Sequence, residues 1–313
     1  MGGDHAPSAV VDGAVEAAVH LDIQVSLVGA ARAIEDALRR VDRRPDPPCE
    51  DRITIVDAPD VIDMSDRPAA VRRKTRASIC VAADLVARHE ADALVSAGHT
   101  GATVLACHAA FGRVAGVDRP ALATTIPTRG RPAVLLDAGA NVECRPQHLL
   151  QFAIMGGVYA HVVLGAEQPR IGLLSIGEEE TKGNELTREA HQLLKASHLN
   201  FIGNVEGREI YSGVADVVVC DGFTGNVVLK TSEGLVEALQ ARLGDRVSDV
   251  FDYSEYGGAP LLGVAGLAIV CHGRSSAKAV RNAVGMAHRF ATTDFIRRIE
   301  SEIAAATSSH LLH

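Results

Sequence analysis

A repeated punctuation narrows what this chain can fold into: short β-branched runs that each stop at a glycine or a polar turn. Ile23 to Val28 stops at Gly29, Ile53 to Val56 at Asp57, Ala93 to Val95 at Ser96-Ala-Gly, and Val134 to Leu136 at Asp137-Ala-Gly. The same pattern returns in Ile171 to Ile176 before Gly177, Val217 to Val219 before Cys220-Asp-Gly, and Leu267 to Val270 before Cys271-His-Gly. Between the runs, residues 13–20, 30–40, 77–89, 146–164, 185–196 and 277–291 carry Ala, Leu and Val at helical spacing. Pro146 suits the first turn of its helix. Near-continuous apolar strands alternating with helices predict an α/β fold with a mostly parallel sheet covered on both faces. Ligands in such folds collect beyond the carboxyl ends of the strands, where the glycine-rich segments lie. No internal repeat or long linker breaks the pattern, apart from a short Arg/Pro-rich loop at 43–49, so residues 1–313 are expected to form a single domain.

Composition excludes several functions. With 31 Lys+Arg against 39 Asp+Glu the chain carries a formal charge of −8, the wrong sign for a general nucleic-acid binder. Trp is absent and aromatics make up 4% of the residues, which argues against a base-stacking surface. The six cysteines form no Cys-x-x-Cys pair and no zinc-like grouping with His, so they read as buried thiols in a reducing cytosol, with no metal expected. Residues 94–112 and 146–166 are uncharged but interrupted by His with Thr or Gln, and predict buried helices rather than membrane spans. With no signal peptide at the start, the expected location is cytoplasmic.

Three common signatures are missing: no Gly-x-x-x-x-Gly-Lys-Ser/Thr, no Gly-x-Gly-x-x-Gly after a strand and no Gly-x-Ser-x-Gly. P-loop, dinucleotide and serine-hydrolase chemistry all lose support, and no cofactor is expected. The polar clusters that remain suit an anion. Gly98, His99, Thr100 and Gly101 precede an Ala-rich helix, where backbone N–H groups and the positive helix end would face a ligand. Lys182-Gly183-Asn184 precedes another helix and combines a cation with an amide donor. Arg72, Arg73 and Lys74, with Arg76, form the densest basic cluster, which either a solvated helix face or an anion site explains. His5 and His99 could exchange protons near neutrality, while Asp4 and Asp137 stand where caps and turn bonds are usual.

Taken together, the segments resemble the bacterial phosphate acyltransferase family of phospholipid synthesis. The resemblance rests on Met1-Gly-Gly-Asp-His-Ala-Pro7, Val71-Arg-Arg-Lys74, Ser96-Ala-Gly-His-Thr-Gly-Ala102 and Leu135-Leu-Asp-Ala-Gly-Ala-Asn141. It continues through Gly177-Glu-Glu-Glu-Thr-Lys-Gly-Asn184, Asn204-Val-Glu-Gly207, Asp221-Gly-Phe-Thr-Gly-Asn226 and Tyr253-Ser-Glu-Tyr-Gly-Gly-Ala-Pro260. It implies a three-layer α/β/α fold like those of isopropylmalate dehydrogenase and phosphotransacetylase, as a homodimer. It also implies a reaction in which acyl-acyl carrier protein and inorganic phosphate give acyl phosphate and the free carrier, the product passing to a membrane glycerol-3-phosphate acyltransferase. A peripheral position at the inner face of the cell membrane goes with that role. On this reading Lys182, Asn184 and His99 are the catalytic candidates. Phosphate or substrate would be bound by Gly98, Thr100, Gly101, Arg72, Arg73, Lys74, Asp4, His5, Asp137, Asn141 and Asn226.

Three departures from the family pattern set further expectations. A short strand ordinarily precedes Met-Gly-Gly-Asp-His-Ala-Pro, so either the start is displaced or the sheet is one strand short. His99 stands where the family has Asn. The helical insertion at about 234–253 is shorter and more charged than usual, which weakens the case for membrane docking. Two alternatives remain: a phosphotransacetylase-like enzyme acting on short acyl-CoA, or a non-catalytic carrier-protein scaffold. An isopropylmalate-type dehydrogenase is disfavoured, since no cluster of Asp ligands stands out.

Overall fold

The computed structural model describes residues 1–41, 50–243 and 257–310. They form two compact units, one from Met1–Gly112 with Tyr253–Thr293 and the other from Arg113–Asp252 with Asp294–His313, each over its described residues.

In the first unit the order is α1 (Ser8–Leu21), β1 (Val25–Gly29), α2 (Ala31–Arg39), β2 (Ile53–Asp57), α3 (Ser78–Ala87), β3 (Ala93–Ser96) and α4 (Thr100–Phe111). It is completed by β9 (Ala259–Leu262), β10 (Leu267–Val270) and α8 (Ala277–Thr292). β1 pairs with β2 and β3 with β10, both parallel, and β9 runs antiparallel to β10. Helix α1 lays Val11, Ala14 and Val15 onto Leu27 of β1 and onto Ile34 and Ala37 of α2. Its close crossing with α8 depends on Gly13, where any Cβ would run into the Ala277 carbonyl and lie 2.7 Å from Val280 Cβ.

The second unit holds β4 (Ala121–Ile126), β5 (Ala133–Leu136), α5 (Pro146–Leu164), β6 (Ile171–Ser175), α6 (Glu185–Ala196), β7 (Phe201–Glu206), β8 (Val217–Val219), α7 (Gly222–Leu243) and α9 (Phe295–His310). Strands β5, β8, β6 and β7 lie side by side and parallel, with β4 antiparallel at the β5 edge. The sheet is sealed: Val134, Leu135, Leu136, Val217 and Val219 are wholly buried. Such all-apolar strands belong in a layer covered on both faces. Gly156 lets α5 approach β8, because a Cβ there would fall 2.6 Å from Val217 Cγ1.

The seven runs expected as strands all form strands, and each expected helical stretch contains a helix. Three strands were not foreseen. Pro120 stands just before β4, β9 contains Pro260, and β7 contains Gly203 with φ +100, and these residues mark turns in sequence. The mostly parallel arrangement therefore has antiparallel members, β4 and β9. Of the expected insertion, residues 234–243 continue α7; residues 244–253, like the loop at 43–49, lie outside the described residues.

Candidate active site

Each unit gathers its polar residues at the carboxyl ends of its own parallel strands. In the first, β3 runs through Ala97-Gly98 into α4, whose N-cap is His99. His99 Nδ1 accepts from the Ala102 backbone N–H at 3.3 Å, and Nε2 lies 2.9 Å from the Asp66 carbonyl oxygen. A backbone N–H only donates and a carbonyl only accepts, so the ring is assigned as the neutral tautomer with its proton on Nε2. Both nitrogens are engaged. Thr100 is exposed in the first turn of α4. Gly101 lets α4 close on a 3-10 turn at Pro68–Arg72, since a Cβ there would lie 2.8 Å from Pro68 Cγ.

That turn leads into the basic cluster, whose members have different situations. Lys74 Nζ donates to the Val61 carbonyl at 2.9 Å and to the Asp66 carboxylate at 2.7 Å. The bond to Lys74 holds the Asp66 carboxyl below its ordinary value. Asp66 thus ties Lys74 through its side chain to His99 through its carbonyl. Arg72 and Arg73 are exposed, and neither makes an ion pair or side-chain hydrogen bond among the described residues. Asp4 donates its backbone N–H to the Gly273 carbonyl and sets its carboxylate 3.7 Å from the Arg274 guanidinium. His5 is exposed beside it.

In the second unit Asp137 follows β5 and is 0% exposed. One carboxylate oxygen accepts from the backbone N–H groups of Leu122, Gly139 and Ala140 at 3.0–3.1 Å. The other accepts from the Asn141 backbone N–H at 2.7 Å and from its side-chain amide at 2.9 Å. Burial pushes the carboxyl above its ordinary value, and these N–H donors pull it back. Asn141, almost as buried, also donates to the Pro120 carbonyl at 2.7 Å. Both residues brace the 137–141 turn. Asn226, exposed in the first turns of α7, lies against that turn, its Oδ1 3.4 Å from where a Cβ on Gly139 would stand. Asp221, just before α7, accepts from the Thr224 backbone N–H at 2.9 Å.

The acidic loop after β6 holds Lys182 and Asn184. Glu180 pairs with Lys195, and Glu178 lies 3.5 Å from Arg208. Lys182 is exposed and keeps an ammonium with no ion pair or side-chain hydrogen bond among the described residues. Its stem lies over Gly177, where a Cβ would fall 2.9 Å from Lys182 Cγ. Asn184 caps α6, its Oδ1 accepting from the Thr187 N–H at 2.9 Å. The hydroxyl of Ser175, at the end of β6, is buried without a hydrogen-bond partner among the described residues, 3.0 Å from the position of a Cβ on Gly183. Sequence reasoning missed it, since a lone Ser at a strand end has no pattern to mark it.

The family described as "Fatty acid synthesis protein" matches residues 1–298. The phosphate acyltransferase of Heliobacterium modesticaldum is 49% identical over 97% of this chain and 96% of its own length. The chain belongs to the phosphate acyltransferase family. A second relative, the phosphate acyltransferase of Desulfitobacterium hafniense, is 46% identical over 99% of this chain and 97% of its own. This member of the family is an acyltransferase, and its family places it in lipid biosynthesis. Its fold is that of phosphotransacetylases: the Streptococcus pyogenes structure superposes with a TM-score of 0.64 at 19% identity, covering 90% of this chain and 91% of that one.

For a phosphate acyltransferase the sorting of cations is informative. The structure divides the basic candidates into Lys74, committed to Asp66 and Val61, and Arg72, Arg73 and Lys182, which are uncommitted. Asp4, His5, Arg72, Arg73, Lys74, Gly98, His99, Thr100 and Gly101 belong to the first unit, and Asp137, Asn141, Lys182, Asn184 and Asn226 to the second. Among the described residues no group of His, Cys, Asp or Glu is arranged to hold a metal ion, and no helix is long and apolar enough to cross a membrane.

Proposed function

We propose that the chain transfers a long acyl chain from acyl carrier protein to inorganic phosphate, giving acyl phosphate and the free carrier. The observation that carries this reading is Lys182: a cation with no ion pair among the described residues, in the loop after a parallel strand, where Glu178 and Glu180 are turned to Arg208 and Lys195 instead. An anion is what such a group is free to bind. A phosphate oxygen attacks the thioester carbonyl, the C–O bond to phosphate forms, and the C–S bond breaks with the electron pair leaving on sulfur. The carrier thiol has a pKa of about 8.5, as for an ordinary thiol, so departure as thiolate needs little acid assistance. What the step needs is a phosphate held close to the carbonyl and donors aimed at the developing oxyanion.

On this proposal Lys182 binds phosphate or the oxyanion, and the Asn184 amide N–H2, left over from capping, donates beside it. Arg72, Arg73 and the Gly98–Gly101 turn hold phosphate or the acidic carrier. His99, Lys74, Asp137 and Asn141 act as positioning residues, and Asp4, His5 and Asn226 line the approach. The net charge of −8 would repel anionic phosphate and carrier alike, so binding depends on these local cations and N–H groups. A homodimer in the cytoplasm, delivering acyl phosphate to a membrane glycerol-3-phosphate acyltransferase, completes the reading.

The test mixes the purified chain with palmitoyl-carrier protein and phosphate, and traps acyl phosphate with hydroxylamine. Phosphate-dependent trapping is expected, and its absence overturns the proposal. Faster turnover of acetyl-CoA than of the carrier substrate would reassign the enzyme to short acyl-CoA. Lys182→Ala is expected to lower turnover by at least about 10²-fold, the scale for one transition-state donor. A folded variant with the parental rate would remove Lys182 from the mechanism.

A further inference from the structure

Two polar side chains of the second unit are buried together beside the loop that carries Lys182. His191, in α6, is 3% exposed and Asn204, in β7, is 8% exposed. Burying an imidazole and an amide costs free energy unless both are hydrogen-bonded, so their partners say what holds them there. Asn204 Nδ2 donates to the Glu179 carbonyl at 2.9 Å, and Asn204 Oδ1 lies 2.9 Å from His191 Nδ1. A carbonyl only accepts. That orients the amide and makes His191 Nδ1 the donor to Oδ1. Phe201, also in β7, meets the imidazole edge to face, with ring centroids 5.0 Å apart.

The Glu179 carbonyl accepts from a second donor, the backbone N–H of Lys182, at 3.0 Å. An oxygen with two lone pairs serves both. A continuous chain of hydrogen bonds therefore runs from His191 through Asn204 and the Glu179 oxygen to the main chain of Lys182. The ion pairs of the same loop are weaker ties. Glu178 with Arg208 and Glu180 with Lys195 join side chains that are each half-exposed or more, and exposed pairs contribute little. His191 Nε2 lies 3.7 Å from Glu180, too far for a hydrogen bond. Asn204 supplies the buried tie. Gly177 then seats the Lys182 stem, since a Cβ there would fall 2.9 Å from Lys182 Cγ and 3.0 Å from the Glu179 carboxylate.

We propose that Asn204, oriented by His191, is a positioning residue for acyl transfer: it holds the Glu179 carbonyl and, through it, the backbone from which the Lys182 ammonium reaches its anion. The inference rests on the anion-binding role proposed for Lys182. Both residues act through that lysine and not on the substrate. A lysine stem is flexible, so the place of its charge depends on how firmly its own backbone is fixed. Without the Asn204 donor, the turn from Glu179 to Lys182 would keep only its internal backbone bond. A displacement of about 1 Å in a binding group can cost about 10²-fold in rate.

The test combines amide hydrogen exchange, read by NMR, with kcat/KM for phosphate at saturating palmitoyl-carrier protein. Asn204→Leu, close in size but without hydrogen bonds, should speed exchange of the Lys182 amide and lower kcat/KM for phosphate, each by at least about tenfold. In a Lys182→Ala background the same substitution should change kcat/KM by less than about twofold, because residues acting through one group are not additive. Unchanged exchange of the Lys182 amide in Asn204→Leu would overturn the proposal. So would an equal loss in both backgrounds, which is the mark of a merely structural role, and that result leaves the assignment of Lys182 standing. A parental rate in Lys182→Ala alone would overturn that assignment and this inference with it. Should Asn204→Leu fail to fold, the His191 pair carries the test. His191→Asn keeps an N–H donor near the place of Nδ1 and should retain more kcat/KM than His191→Leu, which keeps apolar bulk instead. The reverse order would show that His191 serves packing and would overturn the proposal.

Discussion

Asp137→Asn is the sharpest probe of how the second unit holds its strand-end turn. The wild-type carboxylate accepts from Leu122, Gly139 and Ala140 on one oxygen and from the two N–H groups of Asn141 on the other. An amide has one acceptor oxygen. Its best orientation keeps the three-donor side and turns an NH2 toward Asn141, leaving two buried donors without an acceptor. Each orphaned buried donor costs about 1–3 kcal/mol, so the gross loss is about 2–6 kcal/mol. A neutral amide is cheaper to bury than a carboxylate, in line with the upward push of burial on this carboxyl, and offsets part of that loss. The net expectation is about 3 kcal/mol. At about 2 °C per kcal/mol for a chain above 250 residues, the melting temperature should fall by about 6 °C. Differential scanning calorimetry of the two proteins at pH 7 measures it. A fall of less than about 1 °C, or a rise, would refute the view that these donors need a full carboxylate.

Two more substitutions test the first unit. His99→Asn preserves an N-cap acceptor and should stay within about 0.5 kcal/mol of the parent in thermal unfolding, whereas His99→Ala should lose about 1 kcal/mol. The Asn variant should also keep its phosphate-dependent turnover, and a loss of about 10²-fold would instead give the ring a proton-transfer role. Asp66→Asn breaks the bond to Lys74. Because the folded carboxyl lies below its usual 3.8, its stabilisation is present above that pH and is lost as pH falls through the lower folded value. The melting-temperature difference between parent and variant should therefore be full at pH 7 and vanish in strong acid. A difference independent of pH would show that the Asp66–Lys74 pair does not carry it.

The glycine-rich motifs show where reading from sequence stops. In Asp221-Gly-Phe-Thr-Gly-Asn226 the glycines look like turn formers after a strand, yet they lie in the opening of α7. Gly222 is there because a Cβ would fall 2.6 Å from the Asn141 carbonyl oxygen, and Gly225 because one would strike the Asp137 carbonyl. Composition does not separate a glycine chosen for positive φ from one chosen for close approach, because the second reason lies on another segment. Lys74 and Lys182 are a similar pair. Both stand in motifs and both are cations, and only the positions of Asp66 and Val61 reveal that one is committed.

Local pattern was enough for whatever local physics governs. β-branched runs and helical spacing located seven strands and most helices, because strand and helix periodicity are written within a few consecutive residues. The motifs also drew attention to candidate residues such as Asp137 and His99 just beyond strand ends. What the tertiary structure decided involves partners distant in sequence. It set β3 beside β10 and β5 beside β8, and divided the strands between two units. It buried Asp137 under donors from two segments and bound the His99 ring to the Asp66 carbonyl. Those outcomes follow from hydrogen bonds and packing between segments tens to hundreds of residues apart, a scale on which the sequence of either segment alone is silent.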